Sequence, residues 1–306
     1  MSHETCKEFI PPSYLSRKFF KRSLEKGLAI EGIEIVDFQM TPGSQPGDNY
    51  TSTIYRARVI YNHVQSRSNK ISLVIKSIPI DEAHSVIEEF GIVDKEINVY
   101  KELLPKLSKI LGTTVVAPKF YDVFAESHRN LVFQDMKPLG FIAADREIGL
   151  DEHHLEVALK KIAVFHAASI ELLRKEPTIE QHFREGTFAE AAIVNPIFQM
   201  SFRDSMKLAA GILSKMPGYE RFSDKLMKIY ENFVGIALKM VKPDPQNDIK
   251  VDYQGTFFNS LGIDLNYIFI TSAQVDLLKR KVELVEKYYY PIDPGCHQAV
   301  VAAGNI

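Results

Sequence analysis

Apolar and polar positions along this chain change their period from element to element. After Pro11-Pro12, Leu15, Phe19, Phe20 and Leu24 fall at near-helical spacing and predict a short amphipathic helix. Gly32–Met40 has the β-branched character of a strand, and TPGSQPGDNY at 41–50 reads as a loop. Thr51–Tyr61 is a second strand, with Tyr55, Ala57 and Val59 set against Arg56 and Arg58. Lys70–Ile78 is a third, and NHVQSRSN between the two reads as a hairpin loop. From about Asp81 to Leu111 the positions Phe90, Val93, Ile97, Tyr100, Leu104, Leu107 and Leu111 step alternately by three and four, which predicts a long helix. Pro105 lies inside that pattern and predicts a kink, or two helices, near Leu104. Val115–Phe124 and Asn130–Gln134, joined by AESHR, complete a sheet of about five strands with one helix inserted after the third.

Beyond Lys137 the periodicity is helical. Asp151 is placed to cap a helix to about Leu173, with Leu155, Leu159, Ile162, His166 and Ile170 on one face. A second helix is predicted over 198–215 and a third over Tyr219–Val241, ended by KPDPQND. Lys250–Tyr253 is strand-like, 274–290 is helical, and the tail from Pro291 has little pattern. The prediction is an α+β, bilobal chain: a β-rich first lobe over 1–136, a helical second lobe over 137–290 and an irregular tail over 291–306.

Composition narrows the class. The chain has 306 residues, 45% hydrophobic and 25% charged, with a net charge of −2, an ordinary globular profile. The near-neutral balance argues against a dedicated nucleic-acid binder. No apolar run reaches the ~18 residues of a bilayer span, and the N-terminus has no signal-peptide pattern. The two cysteines, Cys6 and Cys296, make neither a disulfide framework nor a zinc site, so a reducing, cytoplasmic location is the expectation. Oligomeric state is not legible.

A strand lysine, a glutamate on the next helix and a helical second lobe are the parts a protein-kinase-like fold needs. Lys76, late in the strand LVIKSI, fits the phosphate-binding role; the competing reading is an edge-strand lysine facing water. Glu96, twenty residues on, fits the glutamate that orients it; the competing reading is a solvated helix residue. The 43–50 loop has backbone N–H groups that could cradle phosphate, or is an ordinary turn. LVFQDMKP at 131–138 leaves the first lobe, and Gln134, Asp135 and Met136 could offer backbone groups to an adenine edge, or simply connect the lobes. His166, on an apolar helix face, reads as a satisfied core histidine rather than a base.

The runs GDNYTSTIYRARV, LVIKSIP, KEINVYKELLPKL, APKFYDVF, LVFQDMKPLGF and ALKKIAVFHAAS, in this order, resemble the insect ecdysteroid-kinase-like (CHK-kinase-like) proteins, relatives of choline and aminoglycoside kinases. The resemblance covers about residues 10–290. It implies an ATP- and Mg²⁺-dependent kinase of small alcohols such as ecdysteroids. It adds Asn49, in Asn49-Tyr50-x-Ser52, to the nucleotide contacts. It makes Val251-Asp252-Tyr253-Gln254 the counterpart of a VDFQ motif, with Asp252 the main metal ligand, and puts Asp264 in a matching aspartate position.

One part of the family pattern is absent. The segment of form HGDLWVNN, whose Asp orients the acceptor hydroxyl and whose Asn helps hold Mg²⁺, should lie between Met240 and Asp252. Only twelve steps separate these residues, and none of the nine histidines is followed two residues later by aspartate. Asp244 and Asn247 in KPDPQND have the wrong spacing to replace it. No catalytic residue is therefore assigned. The family's second lobe also continues with further helices, so the resemblance implies an internally deleted, C-terminally shortened member with impaired phosphoryl transfer. The alternatives are a nucleotide- or small-molecule-binding pseudokinase, or a non-functional truncated isoform.

Overall fold

The computed structural model describes residues 9–44, 52–80, 91–112, 116–125, 128–145, 147–183, 190–241, 248–251 and 257–292. The chain divides into two compact units: Met1–Glu89 with Thr114–Ala144, and Phe90–Thr113 with Asp145–Ile306.

The first unit is built on the helix α1 (Arg17–Leu28) and five strands: β1 (Glu34–Pro42), β2 (Thr53–His63), β3 (Ser66–Pro79), β4 (Phe120–Ala125) and β5 (His128–Gln134). Ser16 caps α1, its hydroxyl accepting the Phe19 N–H at 3.4 Å. The Glu25 carboxylate accepts the N–H groups of Gly32 and Ile33, at 3.0 and 3.1 Å, and so fixes the entry into β1. The predicted stripe Leu15, Phe19, Phe20 and Leu24 is buried, packed with Ala57, Val59, Leu73, Ile75 and Val132 of the sheet. Gly27 lets this helix sit close: a Cβ there would lie 2.2 Å from Tyr121 Cδ1.

All pairings in this sheet are antiparallel, in the order β1-β2-β3-β5-β4. The region read as a hairpin loop is mostly strand. His63 pairs with Ser66 across a tight turn, and Asn62 Oδ1 accepts the Ser68 N–H at 2.9 Å, which carries the ladder past Asn69. His128 and Arg129, expected between strands, belong to β5. His128 pairs in register with Pro79, and its ring stacks on Tyr14 with centroids 4.3 Å apart.

In the second unit the predicted helix is described from Gly91 onward, as α2 (Ile92–Asn98) and α3 (Leu104–Leu111) joined by a π-helical turn at Val99–Leu103. The Leu104 N–H reaches back five residues to the Val99 carbonyl. Pro105 has no N–H for the regular ladder, and this is the physical origin of the expected irregularity. Asp151 caps α4 (Glu152–Lys175), accepting the His154 N–H at 2.9 Å. Helix α5 (Asp204–Leu213) replaces most of the predicted 198–215 helix, preceded by another π turn at Gln199–Arg203. The helix predicted over Tyr219–Val241 is two, α6 (Glu220–Glu231) and α7 (Phe233–Val241). The break falls at Asn232, whose side-chain amide donates to the Lys228 carbonyl at 2.9 Å in competition with the backbone ladder.

A short antiparallel pair, β6 (Asp248–Val251) and β7 (Phe257–Ser260), precedes α8 (Leu261–Thr271). The predicted 274–290 helix is a 3-10 turn, Val275–Arg280, followed by α9 (Lys281–Tyr288). Leu155, Leu159 and Ala163 of α4 form this unit's main core with Leu265, Phe269, Leu284, Val285 and Tyr289. Among the described residues no helix is long and apolar enough to cross a membrane.

Charges tie α4 to the 3-10 turn and α9. Arg280 Nη1 lies 2.6 Å from Glu152 Oε2, the Tyr288 hydroxyl donates to Glu152 at 3.0 Å, and Lys287 Nζ lies at 3.2 Å. Arg280 foremost, then Tyr288 and Lys287, hold the Glu152 carboxyl down from its ordinary 4.5 to about 2. A folded value below the unfolded one means stability present above about pH 4.5 and lost as pH falls towards 2. The difference in melting temperature between wild type and Glu152→Gln is therefore expected to be present at pH 6 and to shrink as pH falls through that window. It should also shrink with added salt, because the Glu152, Arg280 and Lys287 side chains are partly open to solvent. A gap constant with pH would show that the carboxylate charge does not act there.

Candidate functional site

Strand alternation sorts the first unit's sheet into two faces. Leu73, Ile75 and Ser77 of β3 point to the side covered by α1, so Val74, Lys76 and Ile78 point to the other. Register places Ile54 and Leu131 beside Lys76, and Arg56 and Phe133 beside Val74. Because β3 is the middle strand of five, Lys76 is not an edge residue. It is only 9% exposed. An ammonium so placed requires an anionic or hydrogen-bonding neighbour, and apolar Val74, Leu131 and Phe133 lie beside it on the same face.

Glu96 lies in the second unit. It is on α2, buried at 7% exposure next to Val93, and it is not a solvated helix residue.

The segment that follows β5 is tightly held. The Gln134 N–H donates to the Lys119 carbonyl at 2.8 Å, and the Asp135 N–H donates to the Ser72 carbonyl at 3.1 Å. The Met136 carbonyl accepts from Leu139 and Phe141, at 3.0 and 3.3 Å. The Asp135 carboxylate is buried. It accepts the Ser72 hydroxyl at 2.7 Å and the Lys137 N–H at 3.0 Å, and lies 2.8 Å from Arg56 Nε. The Nε–H is not aligned for a hydrogen bond, so the Arg56 contact is ionic. Sequence reasoning selected Asp135 for its backbone and missed that its side chain organises the segment. It also missed Arg56, which alternation marked only as a polar-face residue, and Ser72, which it did not single out.

His166 is fully buried. Its Nδ1 lies 2.7 Å from the Tyr289 hydroxyl and its Nε2 lies 3.0 Å from Asp264 Oδ2. With Nε2–H donating to the carboxylate, Nδ1 accepts the Tyr289 proton, and both ring nitrogens are occupied. The ring links α4, α8 and the end of α9, the role of a satisfied core histidine. Asp264 is thus engaged by His166.

Asn49 and Asp252 lie outside the described residues, as do Asp244 and Asn247. Among the described residues no group of three or more His, Cys, Asp or Glu side chains is arranged to hold a metal ion.

A five-stranded antiparallel sheet backed by one helix, with a buried lysine on its middle strand, and a separate helical unit define an α+β kinase-like fold. The family description "Ecdysteroid kinase-like family" matches residues 46–250 and 242–293, well over half of the chain. The chain belongs to that family, and its function is kinase-like in general terms. No protein of curated function matches it.

Proposed function

We propose that this protein binds Mg-ATP on the Lys76 face of its sheet and transfers the phosphoryl group, ancestrally to the hydroxyl of a steroid or other small alcohol, poorly or not at all. The observation that carries the binding half is the buried lysine on the central strand, on the face away from α1 and beside an apolar strip. That is the chemistry of a triphosphate contact next to a base: a cation for phosphate oxygens, and Val74 and Phe133 for the flat purine. Within Gln134, Asp135 and Met136, the donor for the adenine edge is the Met136 N–H, which among the described residues carries no partner, while the N–H groups of Gln134 and Asp135 are taken by the Lys119 and Ser72 carbonyls. Family likeness gives Glu96 the orienting role, Asn49 a phosphate contact and Asp252 the Mg²⁺, where a carboxylate is the expected kind of ligand.

The impaired half rests on the missing loop. Phosphoryl transfer depends on positioning and charge stabilisation, and each ~1.4 kcal/mol lost from the transition state is tenfold in rate. No H-x-D occurs in the chain, and the family match is in two stretches that overlap at 242–250, where that loop is due. In a thermal-shift titration, Mg-ATP at ~100 times its Kd should add ~2.7 kcal/mol of stability. ADP should form no faster than with Lys76→Ala. No stabilisation by nucleotide would overturn the binding half; ADP formation well above the variant would overturn the impaired half.

A further inference from the structure

We infer that Arg56 is a positioning residue: with Ser72 it grips the Asp135 carboxylate and so holds the backbone of Gln134–Met136 in the shape that reads adenine. This rests on the nucleotide reading above and goes beyond it, because Arg56 itself touches no nucleotide in the scheme.

Arg56 and Asp135 are far apart in sequence and meet because β2 and β5 flank β3. A connecting segment that leaves the end of a strand is ordinarily mobile, and ordering it upon binding lowers affinity. Here the segment is already ordered, and the ordering centres on one buried carboxylate. Its three contacts come from three directions: the Arg56 guanidinium from β2, the Ser72 hydroxyl from β3, and the Lys137 N–H from the turn that follows. The last of these is an Asx turn, which sets the chain direction directly after Met136.

The backbone bonds complete the arrangement. From Gln134 to Phe141, every N–H is engaged except that of Met136, among the described residues. The Arg56–Ser72–Asp135 cluster therefore does more than neutralise a buried charge. It fixes the peptide that leaves one donor available where a base edge needs one. Adenine has a ring nitrogen acceptor beside an amino donor, which suits a single N–H next to a carbonyl.

A purely structural pair would behave differently from a positioning one, and the phosphates provide the control. Mg-ATP and Mg-tripolyphosphate share the Lys76 contact, but only Mg-ATP uses the linker. In calorimetric titrations of the full chain, Arg56→Met should bind Mg-ATP about tenfold more weakly and Mg-tripolyphosphate within about twofold of wild type. Arg56→Lys should recover part of the loss, since it keeps the cation that pairs with the Asp135 carboxylate. If Arg56→Met does not fold, Arg56→Met combined with Asp135→Leu replaces the pair with apolar groups, a change that is often neutral for stability. That double variant should show the same adenine-specific loss. Equal weakening of both ligands, or of neither, would overturn the positioning role while leaving the nucleotide reading intact. Wild type binding neither ligand would overturn the nucleotide reading, and this inference with it.

Discussion

Replacing Lys76 with methionine is expected to weaken Mg-ATP binding roughly 10- to 100-fold and leave adenosine binding unchanged. Methionine keeps the length and apolar stem of lysine and removes only the ammonium. Hydrogen bonds to charged groups contribute about 1.5–3 kcal/mol, and the expected range follows from that figure. The contact should lie near the upper end, because Lys76 is held within a sheet between Ile54 and Leu131 and water screens it poorly. Adenosine lacks the phosphates and uses only the apolar strip and the linker. Titrating both ligands into both proteins gives the answer. If ATP and adenosine weaken together, the lysine supports the fold of the face and does not contact phosphate.

His166→Leu is expected to destabilise the helical unit by about 3 kcal/mol. Leucine fills much of the ring's volume, so cavity formation is a minor part of the effect. The loss comes from removing the ring nitrogens bonded to the Tyr289 hydroxyl and the Asp264 carboxylate, in a place where water cannot replace them. Urea unfolding should show a lower midpoint with an unchanged slope. A change below about 0.5 kcal/mol, the range of ordinary surface substitutions, would mean that the buried ring does not hold the three segments together. Nucleotide affinity at temperatures where the variant stays folded should not move, because His166 belongs to the core and not to the chemistry.

Legibility in the sequence followed periodicity. The α1 stripe and the alternation of Ala57 and Val59 with Arg56 and Arg58 could be read because each amphipathic pattern has one buried side. Helix α8 could not: LGIDLNYIFIT is apolar almost all round, so no stripe marks it as helical. The break at Asn232 was hidden because Ile229, Phe233 and Ile236 keep helical spacing straight through it.

For the site, local sequence could nominate Lys76 and the Gln134–Met136 segment. It could not show that β3 is central, since an edge and a middle strand differ only in what pairs beside them. The Arg56–Asp135 contact was out of reach for the same reason. It depends on strand order, and nothing near either residue signals the other.

The most direct test of a nucleotide on this face uses an adenosine that carries a sulfonyl fluoride at its 5′ position. The base directs the reagent to the linker, and the electrophile then lies where the first phosphates would be, within reach of an amine. Peptide mapping by mass spectrometry should find the added mass on Lys76, and excess Mg-ATP should prevent it. Modification of other lysines with Lys76 untouched, or labelling of Lys76 that Mg-ATP does not reduce, would contradict a triphosphate held by this residue.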